Sequence, residues 1–268
     1  MKWSEIFQKY GVKPSKQLGQ NFLIDDACAE KIVNALDVKP EETVIEIGPG
    51  CGALTHVLEK RAKKVIAIDA DRYMCHIIES EFPAVTVINE SILDVALSVW
   101  VPEGEKIKVI GNVPYYITNK ILFHVLAFRE HVSRMVVTMQ KEVADRVRAE
   151  PGSKVYGRLS VGMQAFSRVQ KISDLKAGSF FPQPDVISTA LSFDIARNIP
   201  DDMDDATFLA VVACLFQERR KTIHNRLAKY NDLGKEYAGV VLNRAGVDPK
   251  SRAEQLSIDQ FVDIVKAL

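Results

Sequence analysis

Cysteine is scarce in this 268-residue chain. The four present, Cys28, Cys51, Cys75 and Cys214, are widely spaced and form no C-x-x-C pair. That spacing disfavours a structural zinc site, so no metal is expected, and with no signal peptide it points to reduced thiols in a cytoplasmic protein. Long apolar runs are missing too, so no membrane-spanning segment is expected. Neither sign of charge is in excess: 35 basic side chains face 35 acidic ones, and no global basic field advertises a polyanionic partner. Internal repeats and low-complexity segments are absent. Basic residues do gather locally, at Lys9, Lys13 and Lys16 and at Arg219, Arg220, Lys221, Arg226 and Lys229. A cluster of this kind is by itself usually a solvated face.

At this length the chain can hold one large domain and a small second one. The stretch around which it is organised is Ile110-Gly111-Asn112-Val113-Pro114-Tyr115-Tyr116. A β-branched run (107–110) precedes it and a helical pattern (119–128) follows, so an Asn, a Pro and an aromatic stand at the carboxyl end of a strand. In open α/β sheets ligands sit in the crevice beyond those ends. Asn offers a side-chain carbonyl, the residues beside Pro114 offer backbone carbonyls, and Tyr115 offers a flat apolar face. Together they can grip the amino edge of a planar base, although the same residues suit a plain strand-to-helix turn.

Upstream, a strand over 43–47 runs into Gly48-Pro49-Gly50-Cys51-Gly52-Ala53 and then a helix. A glycine turn there lets a ligand approach the backbone and the N–H groups of the helix start. A second strand (65–69) ends in Asp69, placed either to accept hydrogen bonds from a ribose diol or to cap the next helix. These features fit both NAD and S-adenosylmethionine (SAM). Glu46 tips the choice to SAM, since it would crowd a pyrophosphate but can neighbour an ammonium. A third strand (85–88) ends in Asn89-Glu90-Ser91, positioned to flank an adenine. Another strand is read over 135–139, and segments 156–169 and 190–193 are expected to finish the sheet. Phe180-Phe181-Pro182-Gln183-Pro184-Asp185-Val186 reads as a stiff aromatic loop.

The segment 1–24 turns from basic to aromatic and suits an arm lying across something, or an extension packed on the core. Pro200-Asp201-Asp202-Met203-Asp204-Asp205 resets the pattern to all-helical. The expected domains are therefore 1–200, binding the nucleoside, and 201–268, helical and contacting RNA.

With these segments in order, the chain resembles the KsgA/Dim family of ribosomal RNA adenine dimethyltransferases. The likeness is carried by Lys16-Gln17-Leu18-Gly19-Gln20-Asn21-Phe22-Leu23, by 46–52, by Asn112-x-Pro114-Tyr115 and by Phe180-x-Pro182-x-Pro184-x-Val186-x-Ser188. Arg219-Arg220-Lys221 and Arg252-Ala253-Glu254-Gln255-Leu256-Ser257 complete it. The resemblance implies a Rossmann-like class I methyltransferase sheet with a small all-helical C-terminal domain. It implies SAM contacts from Asn21, Leu23, Gly48, Gly50, Asp69, Ser91 and Asn112, and RNA contacts from Arg219, Arg220, Lys221 and Arg226. Two positions depart from the family pattern. Asp69 stands where Glu is commoner, and Ser91 where an Asp usually meets the adenine amino group, with Glu90 or Asp94 as possible substitutes.

The same resemblance implies dimethylation of two adjacent adenosines in the 3′-terminal hairpin of small-subunit (16S) ribosomal RNA, by a monomer acting on a pre-30S particle. Asn112 and the Pro114 carbonyl are expected to accept the two N–H bonds of the target amine, with Tyr115 and Phe180 stacking on either face of the base. The alternatives are an Erm-like large-subunit adenine methyltransferase and a ribosome-assembly factor that keeps the fold without the catalysis.

Overall fold

In the computed structural model, residues 3–15 and 18–268 are described; Lys16 and Gln17 of the N-terminal motif lie outside them. The arm opens with α1 (Trp3–Tyr10), which buries Trp3 and Ile6 and donates the Trp3 indole N–H to Asp26 Oδ1 at 3.0 Å. It continues to the two-residue strand β1 (Phe22–Leu23). Asp25 then caps α2 (Asp26–Leu36), accepting the Cys28 N–H at 3.0 Å, and Ile32, Val33 and Leu36 form its buried stripe as the spacing predicts.

From there strands and helices alternate. They run β2 (Thr43–Ile47), α3 (Thr55–Leu58), β3 (Lys64–Ile68), α4 (Arg72–Glu81), β4 (Thr86–Ile88), β5 (Ile107–Asn112), α5 (Thr118–Ala127) and β6 (Val132–Gln140). The sheet order is β4-β3-β2-β5-β6, all parallel in that run. The chain starts at β2 in the middle, winds outward to β4, then returns to β5. The order therefore reverses between β2 and β5, and a crevice opens beyond their carboxyl ends. Every residue of β2 is buried, as expected of a central strand covered on both faces.

Beyond β6 come α6 (Lys141–Val147), α7 (Arg158–Phe166), β7 (Ser167–Leu175), β8 (Phe180–Phe181) and β9 (Ser188–Ile195). β9 runs antiparallel to β6 and β7 lies outside it, which gives the mostly parallel seven-stranded sheet. One expectation is corrected here. Most of 156–169 is helix, because Leu159, Val161, Met163, Ala165 and Phe166 are buried around the whole circumference of α7. An apolar run without alternation does not separate a buried helix from a buried strand. Among the described residues β8 pairs only with β1, in a separate two-stranded sheet.

The chain folds into two compact units. The first comprises the described residues up to Ala144 together with Val169–Ile195, and the second comprises Asp145–Arg168 together with Ala196–Leu268. The change of pattern at Pro200 therefore falls close to one crossing at 195/196, while the excursion through 145–168 left no compositional mark. In the second unit α7 packs on α8 (Asp205–Leu215), which also meets α9 (Ile223–Leu227) and α11 (Ile258–Lys266), while α10 (Lys235–Arg244) packs on α9 and α11. Its core includes an edge-on pair of Phe166 and Phe208, centroids 6.2 Å apart, and a tilted pair of Phe216 and Phe261 at 5.7 Å. No described helix is long and apolar enough to cross a membrane.

Candidate active site

The crevice at the strand reversal holds a pocket of about 1010 Å³, counting its open mouth. Its walls are the arm from Leu18 to Leu23, the end of β2 with its glycine turn, Asp69, Ser91, and the run from Asn112 to Ile117. All seven residues expected at the cofactor, Asn21, Leu23, Gly48, Gly50, Asp69, Ser91 and Asn112, line it.

The glycine turn leaves room because it carries no side chains where they would collide. Gly50 adopts φ +55°, and a Cβ there would come 2.8 Å from Phe22 Cδ1. Asp69 accepts the backbone N–H groups of Asp71, at 2.8 Å, and of Gly50, while Asp71 itself caps α4. The capping alternative for Asp69 is thereby removed. Burial pushes the Asp69 carboxyl up to about 6, against the pull of those N–H groups. Glu46, only 1 % exposed, is pushed up to about 7, first by burial and further by the charge of Asp69. Thr55 donates its hydroxyl to Glu46 Oε2 at 2.7 Å, and Oε1 has no partner among the described residues. Burial lifts the Cys51 thiol to about 12, so it stays protonated in the pocket wall. Ser91 caps the short turn that follows it, taking the Leu93 N–H at 3.3 Å. Glu90 and Asp94 are exposed and do not reach the pocket.

On the other side stands Asn112. Its amide donates Nδ2–H to the Asn21 carbonyl at 2.8 Å, which leaves Oδ1 as the acceptor offered to a ligand. Gly111 beside it is forced by close packing, since a Cβ there would stand 2.7 Å from the Ile47 carbonyl oxygen. Tyr115 is anchored through its hydroxyl to Ser188 Oγ at 2.6 Å, and burial raises its pKa. Tyr116, which the sequence reading passed over, lies at the mouth and is 62 % exposed.

Two expected roles do not fit this geometry. The Pro114 carbonyl already accepts the Ile117 N–H at 3.3 Å and the Thr118 hydroxyl at 3.2 Å, which uses both lone pairs. The Val113 carbonyl, one residue earlier, accepts nothing from the described residues. Phe180 is 1 % exposed in the core and does not line the pocket. Its antiparallel partner is Leu23, and strand alternation sends the next ring, Phe181, outward to 42 % exposure beside Phe7.

A family model described as ribosomal RNA adenine dimethylase matches residues 11–268. The chain belongs to the ribosomal RNA adenine dimethylase family. A protein of Bacillus mycoides (strain KBAB4) called ribosomal RNA small subunit methyltransferase A is 40 % identical, covering 98 % of this chain and 94 % of its own. The protein of the same name from Bacillus cereus (strain AH187) gives the same figures. Among solved structures, a dimethyladenosine transferase from Plasmodium falciparum superposes with a TM-score of 0.77 at 23 % identity, over 91 % of this chain and 95 % of that one. The 23S rRNA methyltransferase ErmE does so at 0.67 and 22 %, over 92 % and 99 %. These two likenesses concern the fold.

This dimethylase carries its expected RNA contacts in the second unit, and they divide sharply. Arg226 is 3 % exposed, and its guanidinium donates to the Cys214 carbonyl at 3.1 Å, to Glu218 at 2.7 Å and to Gln217. It ties the end of α8 to α9 and is not presented to a partner. Arg219 donates to the Lys154 carbonyl at 2.6 Å and to Glu254 at 2.8 Å, yet half of its side chain stays exposed. Arg220 and Lys221 remain exposed. The signature 252–257 has structural work in this dimethylase. Glu254 holds Arg219, and Ser257 with Gln260 forms a capping box at the start of α11.

Proposed function

We propose that this chain uses SAM to dimethylate the exocyclic amines of two adjacent adenosines in the 3′-terminal hairpin of small-subunit (16S) ribosomal RNA, as a cytoplasmic monomer acting on a pre-30S particle. The observation that carries this is the Asn112 amide, whose N–H is fixed by the Asn21 carbonyl so that its oxygen is the group left for a donor. The 40 % identity to proteins named for the small subunit supports that substrate over the large-subunit one. The intact Asn112-x-Pro114-Tyr115 motif in a lined pocket counts against a non-catalytic assembly factor.

The residues fit SAM. Two acids in the pocket wall, the buried Glu46 and the partly buried Asp69, suit a ligand with net positive charge and would crowd the pyrophosphate of a dinucleotide. Bound there, SAM supplies an electrophilic methyl carbon. An adenine amine is a poor nucleophile because its lone pair is delocalised into the ring. Asn112 Oδ1 and, in place of Pro114, the Val113 carbonyl would accept its two N–H bonds, drawing the nitrogen toward tetrahedral geometry and localising the lone pair. The Tyr115 ring, held by Ser188, stacks on the extruded base. The attacked nitrogen becomes cationic and acidic, so no strong general base is required.

Labelled SAM incubated with a mixture of unmethylated small and large subunits should place label on two adjacent adenosines near the 3′ end of the small-subunit RNA. Label confined to large-subunit RNA, or no transfer at all, would overturn this.

A further inference from the structure

The motif residue Gln20 has no part in the chemistry above, yet it holds the arm at a specific point. Its Oε1 accepts the Ser15 N–H at 2.8 Å and its Nε2–H donates to Asp71 Oδ2 at 2.8 Å. Asp71 stands just past β3, on the cofactor side of the pocket, and its other oxygen caps α4 through Tyr73 N–H at 2.9 Å. The next residue of the arm, Asn21, gives its carbonyl to Asn112 at the end of β5, on the substrate side. One residue before them Gly19 lies against the Tyr116 ring, with a Cβ position 3.4 Å from Cδ1. The arm is thus pinned on both banks of the crevice by consecutive residues.

We infer that Gln20 is a positioning residue for methyl transfer: by gripping Asp71 it holds the Asn21 carbonyl where that carbonyl fixes the Asn112 amide. This rests on the function proposed above. An amide can present its oxygen or its nitrogen to the substrate, and only the oxygen accepts the target amine. Losing the Asn21 carbonyl frees the amide to turn, so the consequence falls on the chemical step as well as on cofactor retention.

The pair permits a clean test because Gln and Glu, and Asp and Asn, are isosteric. Gln20→Glu sets two carboxylates against each other. Asp71→Asn forces one donor–donor contact, at Tyr73 N–H, between the two amides or at Ser15 N–H, whichever way the amides turn. The double variant restores the bond with its polarity reversed, keeps both the Ser15 and Tyr73 acceptors, and conserves the total charge. At saturating SAM and saturating unmethylated subunits, each single variant should lower kcat about tenfold, and the double variant should recover to within about threefold of the unsubstituted enzyme. A raised KM for SAM with unchanged kcat would make the contact a mere cover and overturn the inference. So would a double variant no better than the product of the two singles. Failure of the unsubstituted enzyme to transfer methyl at all is seen before any variant is made, and it would remove the proposed function and this inference together.

Discussion

Glu46 on β2 and Asp69 just past β3 face one pocket with both carboxyls held near neutrality, at about 7 and about 6, and the charge of Asp69 raises Glu46 further. Two acids drawn into one pocket, Glu46 fully buried and Asp69 partly so, are costly when ionised and unmatched. A cation between them turns that cost into binding free energy. On the proposed function SAM is that cation, and the pocket's behaviour should then depend on pH.

Both groups bind protons more tightly folded than unfolded. Ligand-free stability should therefore fall as pH rises, from the ordinary 4.5 of Glu46 up through about 7, and from the ordinary 3.8 of Asp69 up through about 6. SAM affinity should move the other way, rising over the same upper range as the acids ionise. Thermal melts and calorimetric titrations between about pH 5.5 and about pH 7.5 measure both slopes. Glu46→Gln should flatten each of them.

Asn112→Ala should keep SAM binding while lowering methyl transfer by about a hundredfold, since positioning supplies most of the rate. Asn112→Asp is the sharper variant. It retains an oxygen toward the substrate but sets another against the Asn21 carbonyl, which now accepts a hydrogen bond at 2.8 Å. Single-turnover transfer should drop in both, and an Asp variant with full activity would show that the orienting bond is dispensable.

Ser91 lines the pocket with its short hydroxyl drawn to the Leu93 N–H. Asp can make the same cap and reach further, with a second oxygen for the adenine amino group. Calorimetry should find SAM bound about fivefold tighter by Ser91→Asp, in line with one added hydrogen bond.

In the second unit the cations separate by role. Arg226→Ala should cost about 2 kcal/mol in a denaturant melt, because the Cys214 carbonyl and Gln217 lose a buried partner. Replacing Arg220 and Lys221 with Ala should leave that melt unchanged. Those two losses should instead weaken RNA binding and reduce its log–log salt slope by roughly 1.5.

Much of this was legible in residue order. The run of strands from β2 to β6, the glycine turn, Asp69 and the Asn112 segment carry local signals: β-branched runs, glycines and a carboxylate at a strand end. Besides the excursion through 145–168, three things left none. Which carbonyl near Pro114 is available depends on the turn made by Ile117 and Thr118, a matter of hydrogen bonding rather than residue type. Phe180 and Phe181 trade places because pairing with β1 sets the alternation. Arg226 is chemically indistinguishable from Arg220 until α8 and α9 close around it.

The path of the chain also bears on synthesis. β6 receives its neighbour β9 only after the chain has left for 145–168 and returned. A nascent chain halted near residue 144 would show a long strand with one edge bare, a template for pairing with other molecules. Neither half can be released by one cut. A fragment beginning at Ala196 would lack α7 and strand the Phe208 ring without Phe166, so expression trials should keep the polypeptide whole.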